Sequence, residues 1–301
     1  MAKRIVFLAS YATDYTGVCA HLPREGETVT GDYFKIGPGG KGSNQAVCAH
    51  RLGADVDLIV KIGRDMSGDY AKRFYEQEQI RTDYLIVDEA VSSGVALIAV
   101  DRETKQNQIL IMPGACKTFN SQDIEKARSV IQEGDIFMGQ FEVNLDGLEK
   151  AMDIARKAGN MIMINPAPAQ KVSDEFLSKI DIITPNETET EILTGIHIDS
   201  IENGRRAAAV FHKAGIPYVV ITMGDKGVFA SCRGNDKFIP AYDVEAVDTT
   251  GAGDAFNGAL AAALSRDVKF MEAVIYANRA ASIAVQRFGS GPSMPYKADM
   301  Q

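Results

Sequence analysis

Val247-Asp248-Thr249-Thr250-Gly251-Ala252-Gly253-Asp254-Ala255-Phe256-Asn257-Gly258 sets a small-residue turn, one carboxylate and an Ala-rich helical pattern in immediate succession. Gly251 and Gly253 let the backbone turn tightly enough for consecutive N–H groups to point at one anion, and the positive end of the following helix adds to the attraction. Asp254 then falls where a substrate hydroxyl would meet that anion. A carboxylate beside an anion hole weakens plain phosphate binding, since like charges repel. It suits removal of a proton from a hydroxyl that attacks a phosphoryl group. An Asp that caps a helix after a Gly-rich turn has the same spelling, so the stretch alone leaves both readings open.

Outward from that turn, short β-rich runs alternate with longer helical patterns. Strands are expected at 5–9, 56–62, 135–138, 161–164, 181–184 and 218–222, most of them apolar on both faces. Helices are expected at 45–51, 68–77, 124–132, 145–158, 187–194 and 205–214. Strands apolar on both sides suit a parallel sheet covered by helices on each face, so the fold class is a doubly wound α/β sheet. Two regions break the rhythm. Residues 18–36, and 95–112 with the polar turn 101–107, read as hairpins. With no helix between their strands they cannot easily join the parallel sheet, so they form a small separate β-layer, a lid over the ligand-binding edge spanning about 13–36 and 93–113. The chain of 301 residues is expected to be a single domain with that lid as its appendage.

Composition excludes several classes. Lys plus Arg number 32 against 40 Asp plus Glu, a formal charge of −8, which argues against a nucleic-acid surface. No apolar run approaches the ~20 residues of a spanning helix, and the N-terminal stretch turns polar at Tyr11, Thr13 and Asp14 too soon for a signal peptide; a cytoplasmic protein is expected. Cys19, Cys48, Cys116 and Cys232 are scattered without a CxxC pair, so neither a disulfide framework nor a zinc cluster is suggested.

A second Gly-rich loop, Gly37-Pro38-Gly39-Gly40-Lys41-Gly42-Ser43-Asn44-Gln45, formally contains G-x-G-x-x-G. A dinucleotide fingerprint follows the first strand of a βαβ unit directly, whereas here that strand ends roughly thirty residues upstream, so the match is set aside. Nor is it a P-loop, since Gly42 follows Lys41. What remains is a flexible turn that delivers Lys41 and Asn44 near a helix start and lets backbone approach a polyol.

These residues carry a resemblance. The run 39–46 and Asp248-Thr249-Thr250-Gly251-Ala252-Gly253-Asp254 look like the two signatures of the ribokinase family of sugar kinases, of the phosphofructokinase-B type. Asn165-Pro166-Ala167-Pro168, Ile183-Thr184-Pro185-Asn186-Glu187-Thr188-Glu189 and Ile221-Thr222-Met223-Gly224-Asp225-Lys226-Gly227 also fall in the family's order, and the similarity runs from about Val6 to Pro295. The stretches 26–30, 94–98 and 165–168 are most similar to members that phosphorylate ribose. The resemblance implies an ATP-dependent kinase that transfers the γ-phosphoryl group to the 5-hydroxyl of a pentose, most simply D-ribose to D-ribose 5-phosphate.

Carried over residue by residue, it makes Asp254 the base, with Gly251, Ala252 and Gly253 as the anion hole. Asp14, Gly40, Lys41, Gly42, Asn44 and Glu142 match positions that hold the sugar. Asn186 and Glu189 match the pair that organises Mg²⁺ and the phosphates, and the acidic run Glu187, Glu189, Glu191 also reads as an ordinary solvated helix face. Thr222, Gly224, Lys226 and Gly227, with Asn278, match the nucleotide side. Asp248, Thr250, Ala284, Arg287, Gly289 and Ser293 match a monovalent-cation site, for which the expected ion is K⁺.

Two positions depart from the family. Many members carry Asn two residues before the sugar-binding Asp, where this chain has Ala12, so one sugar hydroxyl loses a partner unless Thr13 or a water supplies it. Cys116 stands where the family has Asn. The acceptor is therefore ribose or a relative such as 2-deoxyribose. A nucleoside acceptor would want a stacking wall, for which Tyr11, Tyr15, Tyr33 and Phe34 are available, and a sugar-binding regulator without turnover would have no need of Asp254. A homodimer joined through the lids is expected, because two exposed hairpins leave apolar area and open edges.

Overall fold

The computed structural model describes residues 3–104 and 106–301; Met1, Ala2 and Lys105, the last within the expected turn 101–107, lie outside it. In chain order the strands are β1 (Arg4–Ala9), β2 (Ala12–Cys19), β3 (Gly31–Gly39), β4 (Asp55–Gly63), β5 (Arg81–Asp88), β6 (Gly94–Asp101) and β7 (Asn107–Met112). They continue with β8 (Ile136–Gln140), β9 (Met161–Asn165), β10 (Ile182–Ile183), β11 (Tyr218–Thr222), β12 (Gly227–Cys232) and β13 (Asn235–Pro240). The helices are α1 (Lys41–Arg51), α2 (Met66–Gln77), α3 (Ser121–Lys126), α4 (Arg128–Glu133), α5 (Leu145–Ala158), α6 (Asp174–Leu177), α7 (Glu187–Thr194), α8 (Ile201–Lys213), α9 (Ala252–Leu264) and α10 (Phe270–Ala284).

One sheet runs β13-β12-β11-β10-β9-β8-β1-β4-β5, and a second, four-stranded one runs β3-β2-β6-β7. The large sheet is parallel from β5 to β11 and ends in the antiparallel meander β11-β12-β13. Alternation along β1 shows why. Ile5, Phe7 and Ala9 pack on the side of α1, α9 and α10, while Val6 and Leu8 pack on the side of α5 and α8. Both sets are removed from water, each large side chain contributing about 1.5–3 kcal/mol. In the small sheet β2 pairs antiparallel with β3 and parallel with β6, so the two expected hairpins share one β-layer. No helix among the described residues is long and apolar enough to cross a membrane.

The structure differs from expectation in several places. The helix expected at 124–132 is two short helices, α3 and α4, broken at Ala127; Asn120 and Asp123 close a capping box on the first, and Asp123 is also drawn to Lys61 at 2.8 Å. β5 is an edge strand with a half-buried pattern, too weakly alternating to stand out. β12 and β13 are joined by Arg233 and Gly234, both at positive φ, a tight hairpin that the sequence disguised by placing a non-Gly residue in the left-handed region. α1 begins at Lys41, four residues early, because Gly40 at φ 90 turns the chain directly into the helix. Lys41 and Asn44 therefore sit in a first helical turn and not in a flexible loop.

Candidate active site

α9 brings the pieces together. From Asp254 to Leu264 its residues are buried, and its small side chains let α1 pack against it closely. A Cβ on Gly258 would lie 2.5 Å from the Gln45 carbonyl oxygen, and Cys48 donates its thiol hydrogen to the Ala255 carbonyl at 3.3 Å. That approach delivers the start of α1 to Asp254. Asn44 Nδ2 donates to Asp254 Oδ2 at 2.9 Å and Gln45 Nε2 donates to Oδ1 at 3.0 Å. Gln45 is itself fixed by Asn165 Oδ1 at 3.0 Å and by the Gln140 amide at 2.7 Å. No side chain caps α9, and its first residue follows Gly251 at φ 82, where a Cβ would meet Met294 Cε at 3.1 Å and Ser290 Cα at 3.2 Å. The turn 251–253 lines a cavity of about 200 Å³ with Asp254, Lys41, Thr184, Asn186, Glu189 and Thr222. The Ala252 amide donates to the Thr249 carbonyl at 3.2 Å, and the remaining first-turn amides and the helix dipole give that cavity an anion-binding wall.

The electrostatics are dominated by burial. Burial pushes the Asp254 carboxyl up; Lys41 and the two amides pull it back, and Glu142 pushes it further. Burial pulls Lys41 down, yet Asp254, Glu142 and Glu189 together hold it above its ordinary value, so it stays an ammonium among three carboxylates. Glu142 follows β8 and its Oε2 accepts from Ser10 Oγ at 2.6 Å and from the Lys41 amide at 2.9 Å. Asp14 lies in β2 with its Oδ2 accepting from Ser290 Oγ at 2.8 Å, and its carboxyl is raised to about 6 by burial, against the Ser290 hydrogen bond, with Glu142 and Asp254 adding to the rise.

The alternation of β2 decides the fate of the residues around Asp14. Ala12 and Asp14 share one face, and Thr13 the other, where its hydroxyl meets Tyr11 Oη at 2.9 Å. Thr13 is thus spent on Tyr11 and does not replace the missing amide at position 12. The proposed stacking wall is also dispersed. Tyr11 is buried edge-on against Tyr75, Tyr15 stacks on Phe34 on the sheet face away from Asp14, and Tyr33 and Phe34 are exposed. Cys116 exchanges hydrogen bonds with the Tyr11 backbone, accepting from its amide at 3.1 Å and donating to its carbonyl at 3.3 Å, and so fixes the chain just before Ala12.

On the opposite side, Asn186 caps α7. Its side chain accepts from the Glu189 amide and Glu189 Oε2 accepts from the Asn186 amide, a reciprocal capping box. Both still line the cavity beside Asp254. A second cavity, of about 430 Å³, is walled by Gly224, Tyr242, Ala252, Asn278, Ala281 and Val285 and adjoins the first at Thr249 and Ala252. Asn278 donates to the Pro240 carbonyl at 2.8 Å. Thr222 lines the first cavity, whereas Lys226 and Gly227 line neither of the two.

A pfkB family carbohydrate kinase model matches residues 2–297. The chain belongs to the pfkB family of carbohydrate kinases. The ribokinase of Haemophilus influenzae is 41% identical over 299 residues, covering 99% of this chain and 97% of its own. The deoxyribokinase of Salmonella typhimurium is 39% identical, over 85% of this chain and 84% of its own. The structure of Arabidopsis thaliana ribokinase complexed with ribose and ATP superposes with a TM-score of 0.88 at 29% identity, covering 100% of this chain and 98% of that one.

For a pfkB kinase, the signature residues are arranged in two groups. Asp254, Lys41, Asn44, Asn186, Glu189 and the turn 251–253 converge directly, and Asp14 and Glu142 approach from β2 and β8. Of the residues expected to hold a cation, Thr250 and Gly289 meet at Asp248, whose Oδ1 accepts the Thr250 amide and Oδ2 the Gly289 amide, both at 2.9 Å. Ala284 ends α10, Ser293 is buried and donates to the Ser290 carbonyl at 2.8 Å, and the Arg287 side chain is taken by Asp299 at 2.8 Å. Sequence reasoning passed over Gln45 and Ser10. Gln45 lies within the Gly-rich loop motif, but only the tight α1–α9 contact reveals that it faces the carboxylate.

Proposed function

We propose that this pfkB kinase transfers the γ-phosphoryl group of ATP to the 5-hydroxyl of a pentose, D-ribose in the first instance. The observation that carries the proposal is Asp254, buried at the start of uncapped α9, held at both oxygens by amides, with Lys41 beside it. In this reading Asp254 Oδ takes the hydroxyl proton while the hydroxyl oxygen attacks the γ-phosphorus and ADP leaves. The turn offers the amides of Gly251 and Gly253 to the charge on the transferred group, while the Ala252 amide, donating to the Thr249 carbonyl, holds the turn in shape; Lys41 offsets the charge from the side. Asp14, Glu142 and Asn44 orient the sugar; Asn44 Oδ1 is buried without a partner in the protein and is free to accept from a hydroxyl. Glu189 keeps one carboxylate oxygen outside the capping box, so with Asn186 it fits a hydrated Mg²⁺, which would draw charge from the phosphates. The slot lined by Gly224 and Asn278 suits the nucleoside end of ATP.

A K⁺ held by oxygens of Asp248, Thr250, Ala284, Arg287, Gly289 and Ser293 would stiffen the turn, an oxygen-only set that suits a hard cation. Activity unchanged when K⁺ is replaced by tetramethylammonium would count against it. The small sheet acts as the lid of a single kinase domain, and its outer face joins two copies. A second acceptor, 2-deoxyribose, is favoured by one observation: neither Ala12 nor Thr13 offers a hydrogen-bonding group on the site face of β2. The test is a coupled ADP-release assay across pentoses, hexoses and nucleosides. Asp254→Asn should lower turnover at least ~10²-fold, as loss of a positioned base does. Retention within about tenfold would remove the assignment.

A further inference from the structure

Ser290 belongs to none of the motifs above. It sits 5% exposed in the loop between α10 and the chain's last turns, at the junction of three pieces of the site. Its hydroxyl donates to Asp14 Oδ2 at 2.8 Å, with the Pro38 carbonyl a more distant alternative at 3.4 Å. Its carbonyl accepts from the Ser293 hydroxyl at 2.8 Å, and its neighbour Gly289 donates to Asp248 Oδ2 at 2.9 Å. Its Cα lies 3.2 Å from where a Cβ on Gly251 would stand, and a Cβ on Gly291 would be 3.2 Å from Asn44 Oδ1. One short loop thus touches the sugar-side carboxylate, the anion-hole turn and the start of α1.

We propose that Ser290 is a positioning residue for the acceptor sugar: its hydroxyl holds the Asp14 carboxylate in one orientation and ties it to the loop that supports the Asp248–Gly251 turn. This rests on the reading of Asp14 as a sugar ligand. Asp14 is carried by β2 of the small sheet, whereas the 289–293 loop belongs to the main body, and among the described residues Ser290 is the side-chain donor from the body that sets the angle of the carboxylate. A carboxylate fixed beforehand spares the sugar part of the ordering cost of binding. The Ser290 hydroxyl is committed to Asp14 and Ser290 does not line the cavity at the 251–253 turn, so its effect falls on sugar affinity and not on the chemical step.

The experiment compares Ser290→Ala, Ser290→Thr, Asp14→Asn and the double variant Asp14→Asn with Ser290→Ala, measuring KM for the sugar, KM for ATP, and kcat. Ser290→Ala should raise the sugar KM roughly tenfold, the worth of a hydrogen bond to a charged group. It should leave the ATP KM and kcat within about threefold, and Ser290→Thr should restore the sugar KM. In the Asp14→Asn background, Ser290→Ala should add nothing further. If Asp14→Asn raises the sugar KM while Ser290→Ala does not, the assignment of Ser290 is overturned and the reading of Asp14 stands. Should Asp14→Asn itself leave the sugar KM unchanged, the reading of Asp14 fails and takes the Ser290 assignment with it. A fall in kcat that Ser290→Thr does not restore overturns the positioning role in favour of loop packing.

Discussion

Burial lifts the carboxyls of both Asp14 and Asp254, but the consequences are read in different measurements. As the proposed base, Asp254 must be ionised to accept a proton, so kcat should fall on the acid side with an apparent pKa above the ~4 of an ordinary Asp; an acid limb at or below that value would contradict a buried base. Asp14 speaks to stability. Its folded value is about 6 against 3.8, so the ligand-free fold binds this proton more tightly than the unfolded chain does. The resulting stabilisation is complete below about pH 4 and is lost as pH rises through about 6, leaving a buried charge above that, at roughly 1.4 kcal/mol per unit. Asp14→Asn should therefore raise the melting temperature of the ligand-free protein by a few degrees at pH 8, leave it nearly unchanged at pH 4, and weaken sugar binding. Calorimetry at the two pH values checks this, and a difference independent of pH would overturn it. The identities of Asp14 and Asp254 were legible in their motifs. Their environment was not, because the donors that set it, Ser290 and Gln45, lie hundreds of positions away in sequence and meet them only through the packing of α1, α9 and the 289–293 loop.

At the scale of elements, α7 shows one pair of residues carrying two duties. Asn186 and Glu189 form a capping box and also line the cavity beside Asp254, proposed to hold the phosphates, so a plain loss of activity in Asn186→Ala would confound a frayed helix with a lost ligand. Ser at the same position keeps an N-cap acceptor and removes the amide. Removing the cap outright costs about 1 kcal/mol, whereas a Ser for Asn exchange is nearly neutral. Asn186→Ser should thus keep the melting temperature within ~2 °C of wild type and still raise the KM for Mg-ATP several-fold; an unchanged KM would leave Asn186 with its capping duty alone. Elements with strong local signals were legible: α5 and α7 occupy the expected residues, and β11 does as well. Those missed had reasons of conformation. Gly40 spells a loop but acts as the N-cap of α1, and Arg233 takes a left-handed conformation that its residue type does not advertise.

Across the whole molecule, the small sheet presents two faces with different destinations. Register places Asp14, Ala96 and Ile111 on the face toward the active site, and Tyr15, Ile36, Leu97 and Leu110 on the other. That outer face is 44% exposed at Ile36, 47% at Leu97 and 61% at both Phe34 and Leu110, on β3, β6 and β7, with the half-buried Tyr15 of β2 between them. A continuous apolar face of this kind on a sheet with two open edges is what the proposed association of two copies would cover. The hairpins alone lead one to expect exposed apolar area, but which residues point outward follows only from the register of β2 with β3 and β6. The expected assembly is a homodimer in which the outer faces of two small sheets meet. Leu110→Glu places a charge in the middle of that face, on the side away from Asp14, and should convert the dimer to a monomer in light scattering at micromolar concentration. Because the same strands carry Asp14 on their inner face, loss of the partner should loosen the sheet and raise the sugar KM more than the ATP KM. A wild-type protein already monomeric at that concentration would overturn the assembly, and a Leu110→Glu protein that stays dimeric would move the contact to another surface.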